Sequence, residues 1–331
     1  MFEDVTPEMK ELLIRSASPN RSEAEAASNQ IAKAIELPLR EGIMSGDILQ
    51  GIFEGITLEP GVSPEMPLDF LSPGTEDQFV AYAVPNQGNI PQREVKSDFV
   101  TVPTYEIGNS ITWLLKYAKN ARWDVVSRCM QVFEAGFVKK MNDDGFHTIL
   151  AGGVDRNIVV YDADATAGLF TKRLISLLKT TMRRNGGGNS TSMNRRILTD
   201  LFTSPEAIED MRNWGIDIVD EITRRELYTA QDGSINRVFG VNLRDIDELG
   251  VGQVYQTYFT SVLGGSMGAS DVEIVVGLDL SKNGAFVMPN RGPVEVNPYV
   301  TLREQRKDGV YGTAEIGFGV LDTRYVILGS F

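Results

Sequence analysis

Prolines divide this chain more sharply than any other residue type. Ten of the 14 fall between Pro7 and Pro103, none lies from Thr104 to Ser204, and Pro205, Pro289, Pro293 and Pro298 complete the set. Proline removes a backbone donor and is excluded from helix interiors and central strands. The first third is therefore expected to be largely extended, with little packed regular structure. The proline-free stretch that follows can form long helices.

One helix interrupts the first third. Ser22-Glu23-Ala24-Glu25 has the form of a capping box, alanines follow, Ile31 and Ile35 share a face, and Pro38 is placed to stop the helix. Two readings stand. It is a surface helix on the chain's own core, or an arm that packs Ile31, Ile35 and Leu37 on a neighbouring chain. The Pro- and Gly-rich stretch from Gly55 to Gly74 favours the arm, because a long structureless stretch is uncommon inside a compact domain. Residues 75–104 then read as a long β-hairpin, with strands at Phe79–Val84 and Asp98–Val102. Its tip is polar: Pro85, Asn86, Gln87, Gly88, Asn89, Ile90, Pro91, Gln92 and Arg93. A two-stranded ribbon is marginal alone in water and needs another surface.

The strongest helical periodicity starts near Ser110 and runs through Ile111, Leu114, Leu115, Ala118, Val125, Val126, Cys129, Met130, Phe133, Phe137 and Met141. Continued to Phe146, it predicts a helix of roughly 55 Å at ~1.5 Å per residue, about threefold the mean for globular proteins. Ala167 to Arg184 reads as a second amphipathic helix, followed by a loop of Asn185, Gly186, Gly187, Gly188 and Asn189. Arg196–Phe202 reads as a buried strand. Ser204-Pro205-Glu206 then starts a helix, with a capping hydroxyl, a proline in the first turn and an acid at the positive dipole end. Strands are expected at Glu273–Leu280, Gly284–Met288, Val294–Arg303, Gly309–Val320 and Thr323–Leu328. The class is α+β.

Hydrophobic residues make up 42% and charged residues 23%, enough apolar area to exclude whole-chain disorder. The 32 basic residues against 45 acidic give −13, which argues against a basic nucleic-acid binder of the usual kind. Cys129 and His147 each stand alone in the sequence. Intrachain disulfides, cysteine-rich zinc sites and the H-E-x-x-H signature are thereby excluded. The start, Met1-Phe2-Glu3-Asp4, lacks a signal peptide and no spanning apolar run follows, so a soluble intracellular product without membrane contact is expected.

The chemical candidates are weak. The glycine loop at 185–190 lacks the Lys-Ser/Thr pair of a P-loop. Asp143 and Asp144 with His147, Asp162 with Asp164, and Asp217 with Asp220 and Glu221 are acidic clusters whose bland reading is a solvated surface. The doublets Arg183-Arg184, Arg195-Arg196 and Arg224-Arg225 read as salt-bridge donors or solvated faces. No catalytic, cofactor or metal site is expected, and the chain does not read as an enzyme.

The order of parts resembles the major capsid proteins of tailed bacteriophages, the Hong Kong 97-type shell fold. The local strings that carry the resemblance are Arg196 to Ile208, a strand running into the Ser-Pro-Glu helix start, and Glu315–Val320 with Arg324–Leu328 as a terminal sheet. The resemblance implies an N-terminal arm at 1–71, an extended loop (the β-ribbon) at 72–104, a peripheral domain with a long spine helix at 105–154 and 291–331, and an axial domain at 155–290. It implies self-assembly into pentamers and hexamers that form the icosahedral head shell enclosing phage double-stranded DNA, without sequence-specific binding. The subunit would be assembled in the host cytoplasm and reside in the virion. Partners implied are itself, a separate scaffolding protein, a portal and a decoration protein. Inter-subunit contacts fall on the ribbon tip Pro85–Arg93 and on arm residues Ile31, Ile35 and Leu37, and the loop 185–189 belongs to the axial domain. The alternatives are an encapsulin-like compartment, another virion structural protein and, last, a soluble enzyme.

Overall fold

A computed structural model describes residues 7–45, 49, 51–59, 61–67, 99–185, 196–214, 237–268, 271–281, 284–299 and 305–331. The first elements in chain order are α1 (Pro7–Ser16), α2 (Arg21–Ser45), β1 (Glu54–Thr57), β2 (Glu65–Pro67), β3 (Phe99–Thr101), β4 (Tyr105–Leu114), α3 (Leu115–Lys119), α4 (Trp123–Asp155) and β5 (Val159–Tyr161). Then follow α5 (Lys172–Asn185), β6 (Asp200–Thr203), α6 (Pro205–Arg212), β7 (Arg237–Val238), β8 (Val241–Asp245) and α7 (Val254–Thr257), which runs into a π-helical turn at Tyr258–Val262. The chain closes with β9 (Ile274–Leu278), β10 (Phe286–Asn290), β11 (Glu295–Pro298), β12 (Lys307–Ile316), β13 (Gly319–Val320) and β14 (Val326–Ser330).

Two compact units result. One comprises Met1–Pro64, Thr101–Gly145 and Val287–Gly319; the other comprises Glu65–Val100, Phe146–Phe286 and Val320–Phe331. In the first unit β12 pairs along its whole length with β4, from Lys307 opposite Leu114 to Ile316 opposite Tyr105. Its other edge takes β11, and β10 joins at Asn290 opposite Ile316. The amino-terminal half of α4 covers one face. Phe133 and Phe137 lie against Gly312, and Asn109 Nδ2 donates to the Phe133 carbonyl at 3.1 Å. A Cβ at Gly136 would sit 2.5 Å from the Asn109 amide nitrogen, so glycine allows this close approach inside the helix.

The second unit is built on a sheet in the order β5-β14-β9-β6-β8-β7. Every residue of β6, β9 and β14 is buried. On one face Leu201, Val275 and Ile327 share a core with Leu174, Ile175 and Leu178 of α5 and Ile208 and Met211 of α6. On the other, Phe146 meets Phe202 and Tyr255. There Gly153 is pressed so closely on Leu328 that a Cβ would come within 2.7 Å of it. A sheet covered on both faces reads as continuous apolar runs, and Ile274-Val275-Val276 and Val326-Ile327-Leu328 are such runs.

Several expectations are corrected. The first third is not largely extended, since α1 and α2 pack against each other there. Ser22 forms no capping box, because α2 starts at Arg21; its hydroxyl donates to Asn20 Oδ1 at 3.1 Å instead. Pro38 does not stop α2, which continues to Ser45. Proline there forfeits the bond to the Ala34 carbonyl, and the burial of Ile31, Ile35 and Leu39 on one face offsets that cost. Ile31 and Ile35 are 4% and 0% exposed within the chain itself. Within one chain these two arm residues are therefore packed in its own core. The Leu37 side chain lies outside the described residues.

The spine helix begins at Trp123, not near Ser110. Spacings of three and four over Ile111 to Ala118 arise where a strand passes into the short α3, and Ala121, at φ 48°, breaks the path before α4. The 33 residues of α4 reach Asp155, about 50 Å at ~1.5 Å per residue. Residues 291–331 also do not stay in one unit: β14 pairs with β9 and β5 in the second sheet. Its five buried residues suit a central strand and not a half-exposed one. The five C-terminal strand expectations otherwise coincide with β9 to β14 within a few residues.

Candidate assembly surfaces

Among the described residues the candidate chemical groups do not converge on one site. His147 lies inside α4, its ring stacked on Tyr258 at 3.8 Å between centroids and edge-on to Tyr255. Asp144 accepts from the Tyr105 hydroxyl at 2.7 Å and from Lys140 Nζ at 2.8 Å. Burial first, and then the Asp144 carboxylate, push the Tyr105 hydroxyl well above its ordinary ionisation. Asp144 thus ties β4 to α4 and is occupied as a structural acceptor. Asp162 accepts from the Thr171 hydroxyl at 2.9 Å and lies 3.4 Å from Arg173, which also pairs with Asp164. Burial raises the Cys129 thiol, which makes it a poor thiolate. Among the described residues no group of three His, Cys, Asp or Glu side chains is placed to hold a metal ion. Asp217, Asp220, Glu221, the doublet Arg224-Arg225 and loop residues Gly186, Gly187, Gly188 and Asn189 lie outside the described residues; Asn185 ends α5.

The second unit holds an ion cluster that the sequence did not announce. Arg196 and Arg324, both 2% exposed, donate to Asp322 at 3.1 and 2.8 Å. The Arg196 guanidinium lies 4.1 Å from the Tyr325 ring centroid. Burial alone would raise Asp322, but its bonds to Arg324 and the charges of Arg324 and Arg196 outweigh burial and hold it below the usual carboxylate range. Asp322 also accepts from the Arg324 amide at 2.9 Å, capping the turn that launches β14. The local signal was Asp322-Thr323-Arg324, a cap-and-pair spacing read only as a strand start.

The first sheet leaves its other face open. Glu106, Gly108, Ser110, Thr112 and Leu114 are exposed, alternating with residues turned toward α4. Tyr311, 37% exposed, stands opposite Ser110 and makes an edge-to-face contact with Tyr299 at 5.6 Å. With Gly108, Pro298 and Thr313 these residues line an open groove of about 690 Å³. The helical periodicity near Ser110 concealed this surface in the sequence. At the foot of the expected ribbon, β2 and β3 form a two-stranded sheet whose Phe99 is 56% exposed. The ribbon tip itself, Pro85, Asn86, Gln87, Gly88, Asn89, Ile90, Pro91, Gln92 and Arg93, lies outside the described residues.

No protein-family model and no curated protein sequence matches the chain. Solved structures do. A chain of the cyanophage Pam1 capsid asymmetric unit is similar at a TM-score of 0.57 and 12% identity, over 84% of this chain and 88% of that one. A chain of the mature capsid of bacteriophage PhiM1 gives 0.54 and 13%, over 86% of each. The capsid of the native GTA particle gives 0.55 and 11%, over 88% and 90%. The likeness therefore spans both units, and the chain has the α+β shell fold of these capsids, the Hong Kong 97-type architecture that its sequence resembles.

Proposed function

We propose that the chain is the major capsid protein of a tailed bacteriophage. Copies assemble into pentamers and hexamers that close an icosahedral head shell around double-stranded DNA. The observation that carries this reading is the whole-chain likeness to subunits of assembled phage capsids. Packing supports it. The first sheet is covered by α4 on one face and open on the other, and Phe99 stands exposed at the ribbon foot. Such surfaces are completed by sibling copies, each standard contact burying ~800 Å² per partner, in heterologous contacts whose rotation closes into rings.

The role is structural and not enzymatic, and the destination is the virion. A net charge of −13 suits a container that must not adhere strongly to its polyanionic content. Because Ile31 and Ile35 serve the chain's own core, the ribbon is the principal reach toward a neighbour, with its tip at Pro85–Arg93 laid on a sibling. A separate scaffolding protein, a portal and a decoration protein are the expected partners. Negative-stain microscopy of the expressed chain, alone and with its neighbouring gene products, tests the reading. Closed shells with five- and six-fold clusters are expected; a chain that stays monomeric under every condition ends it, and shells filled with a cargo enzyme in place of DNA point to a storage compartment. Deleting Pro85–Gln92 should lower shell yield at least several-fold while leaving subunit unfolding unchanged.

A further inference from the structure

The two sides of α5 differ in kind. Leu174, Ile175, Leu178 and Met182 are buried in the second unit's core. The opposite face exposes Lys172, Arg173, Ser176, Thr180, Arg183 and Arg184, and among the described side chains of α5 no apolar one is exposed. The surrounding sequence is equally biased: from Ala165 to Thr199 there is no Asp or Glu and there are seven Lys or Arg, in a chain with 45 acids and 32 bases. Arg173 is drawn to Asp162 and Asp164. Lys179 Nζ donates to the Phe239 carbonyl at 2.7 Å, which holds the turn after β7 against α5. Lys172 and Arg183 are separated by about 16 Å along the axis at ~1.5 Å per residue, enough to straddle a major groove ~12 Å wide.

Charge and polarity together select the partner. Protein interfaces are anchored by aromatic or aliphatic side chains in desolvated pockets; the described side chains of α5 expose none, and the nearby Phe239 ring is partly buried beneath Lys172 at 5.2 Å. Nucleic-acid interfaces are wet, polar and positive, and their backbone contacts come from Lys, Arg, Ser and Thr. We propose that the exposed face of α5 is a sequence-independent contact for the phosphate backbone of double-stranded DNA. The proposal rests on the capsid reading and deepens it by naming the surface that meets the content. The overall charge of −13 opposes binding at long range, so the contact is local, weak and salt-sensitive, as suits a genome that must slide in and out.

Anisotropy of a labelled random-sequence duplex, titrated with the purified full chain over a salt series, tests the contact. The variant Lys172→Gln/Arg183→Gln/Arg184→Gln is compared with Lys116→Gln/Lys119→Gln/Arg122→Gln, three exposed basic residues on and beside α3. Each removes three positive charges, taking −13 to −16, so location alone differs. The α5 variant is expected to lose about tenfold in affinity at low salt and to flatten the salt slope by about 2.7, three contacts at ~0.9 each; the α3 variant should lose ~2-fold at most. Equal losses in both, or none in the α5 variant, overturn the proposal. So does an α5 variant that binds DNA normally but no longer assembles in sedimentation, which makes the face a protein contact. Shell formation by the wild-type chain is scored separately: failure to form shells with α5-dependent binding retained removes only the capsid reading, and shells with α5-independent binding remove only this one.

Discussion

The two sheets of this chain solve the burial problem in opposite ways. In the second unit, α5 and α6 cover one face and the Phe146–Tyr255 layer the other, so β6, β9 and β14 have no exposed residue. In the first, β4 alternates between residues under α4 and residues open to solvent. Buried charge is more frequent in the second unit. Arg196, Arg324, Asp279 and Glu273 are buried there, whereas in the first Asp308 is buried and the Arg291–Glu315 pair is half-exposed. The second sheet, covered on both faces, holds its Arg196–Asp322–Arg324 ion pairs as a fixed internal framework.

The comparison is most easily broken at its charges. Arg324→Ala removes a fully buried guanidinium and one of the two arginines that hold the mostly covered Asp322, and should cost ~3–5 kcal/mol, whereas Arg291→Ala at the half-exposed pair should cost under ~1 kcal/mol. Denaturant unfolding of both variants measures the contrast, and similar losses would remove the distinction between the units. Next in size is packing. Leu328→Ala empties a fully buried site and should cost ~2–5 kcal/mol. Leu114→Ala, at a site 41% exposed on the open face, should leave subunit stability within ~1 kcal/mol and act on shell yield instead.

The smallest effect sharpens the account of buried charge through pH. Burial raises Glu273; the hydrogen bond from the Ser204 hydroxyl at 2.5 Å opposes this, and Glu206 and Asp210 add to the rise. A raised carboxyl binds its proton more tightly folded than unfolded, so it costs stability above its folded pKa and the cost fades as pH falls through that value. Glu273→Gln should therefore raise the Tm at pH 8, with the gain shrinking toward pH 4. Asp322 has the opposite sign. Its depressed value stabilises the fold above the ordinary carboxylate pKa of ~3.9, and that contribution is lost as pH falls through the lower folded value. Thermal scans across this range separate the two; a gain from Glu273→Gln that persists unchanged at pH 4 would refute the burial argument.

Some local signals were legible, though those at Ser22 and Pro38 were not. Ser204 caps α6 as its sequence suggests, accepting from the Ala207 amide at 3.2 Å, with Pro205 in the first turn. The late strands are nearly in place for the same reason, since runs such as Ile274–Leu278 carry their own β propensity. The candidate assembly surface was not legible, because Ile111, Leu114 and Ala118 fit a helical period as well as they fit a strand followed by a turn. The arm was half legible: its helix was found, but the burial of Ile31 and Ile35 in the chain's own core was one of two readings the sequence left open.

Composition and short motifs by themselves determined the class, the single cysteine and histidine, the acidic balance and the Ser204 cap, because each depends on residue type or on neighbours within one turn. Tertiary structure alone decided that Tyr105–Leu114 is a strand, since its hydrogen bonds come from Lys307–Ile316. It alone sent β14 to the second sheet and gathered Arg196, Asp322 and Arg324 into one cluster. Those outcomes depend on partners far away in the chain. A residue carries its polarity and shape in its own side chain, but which group will satisfy its backbone or its charge is set only when distant segments meet.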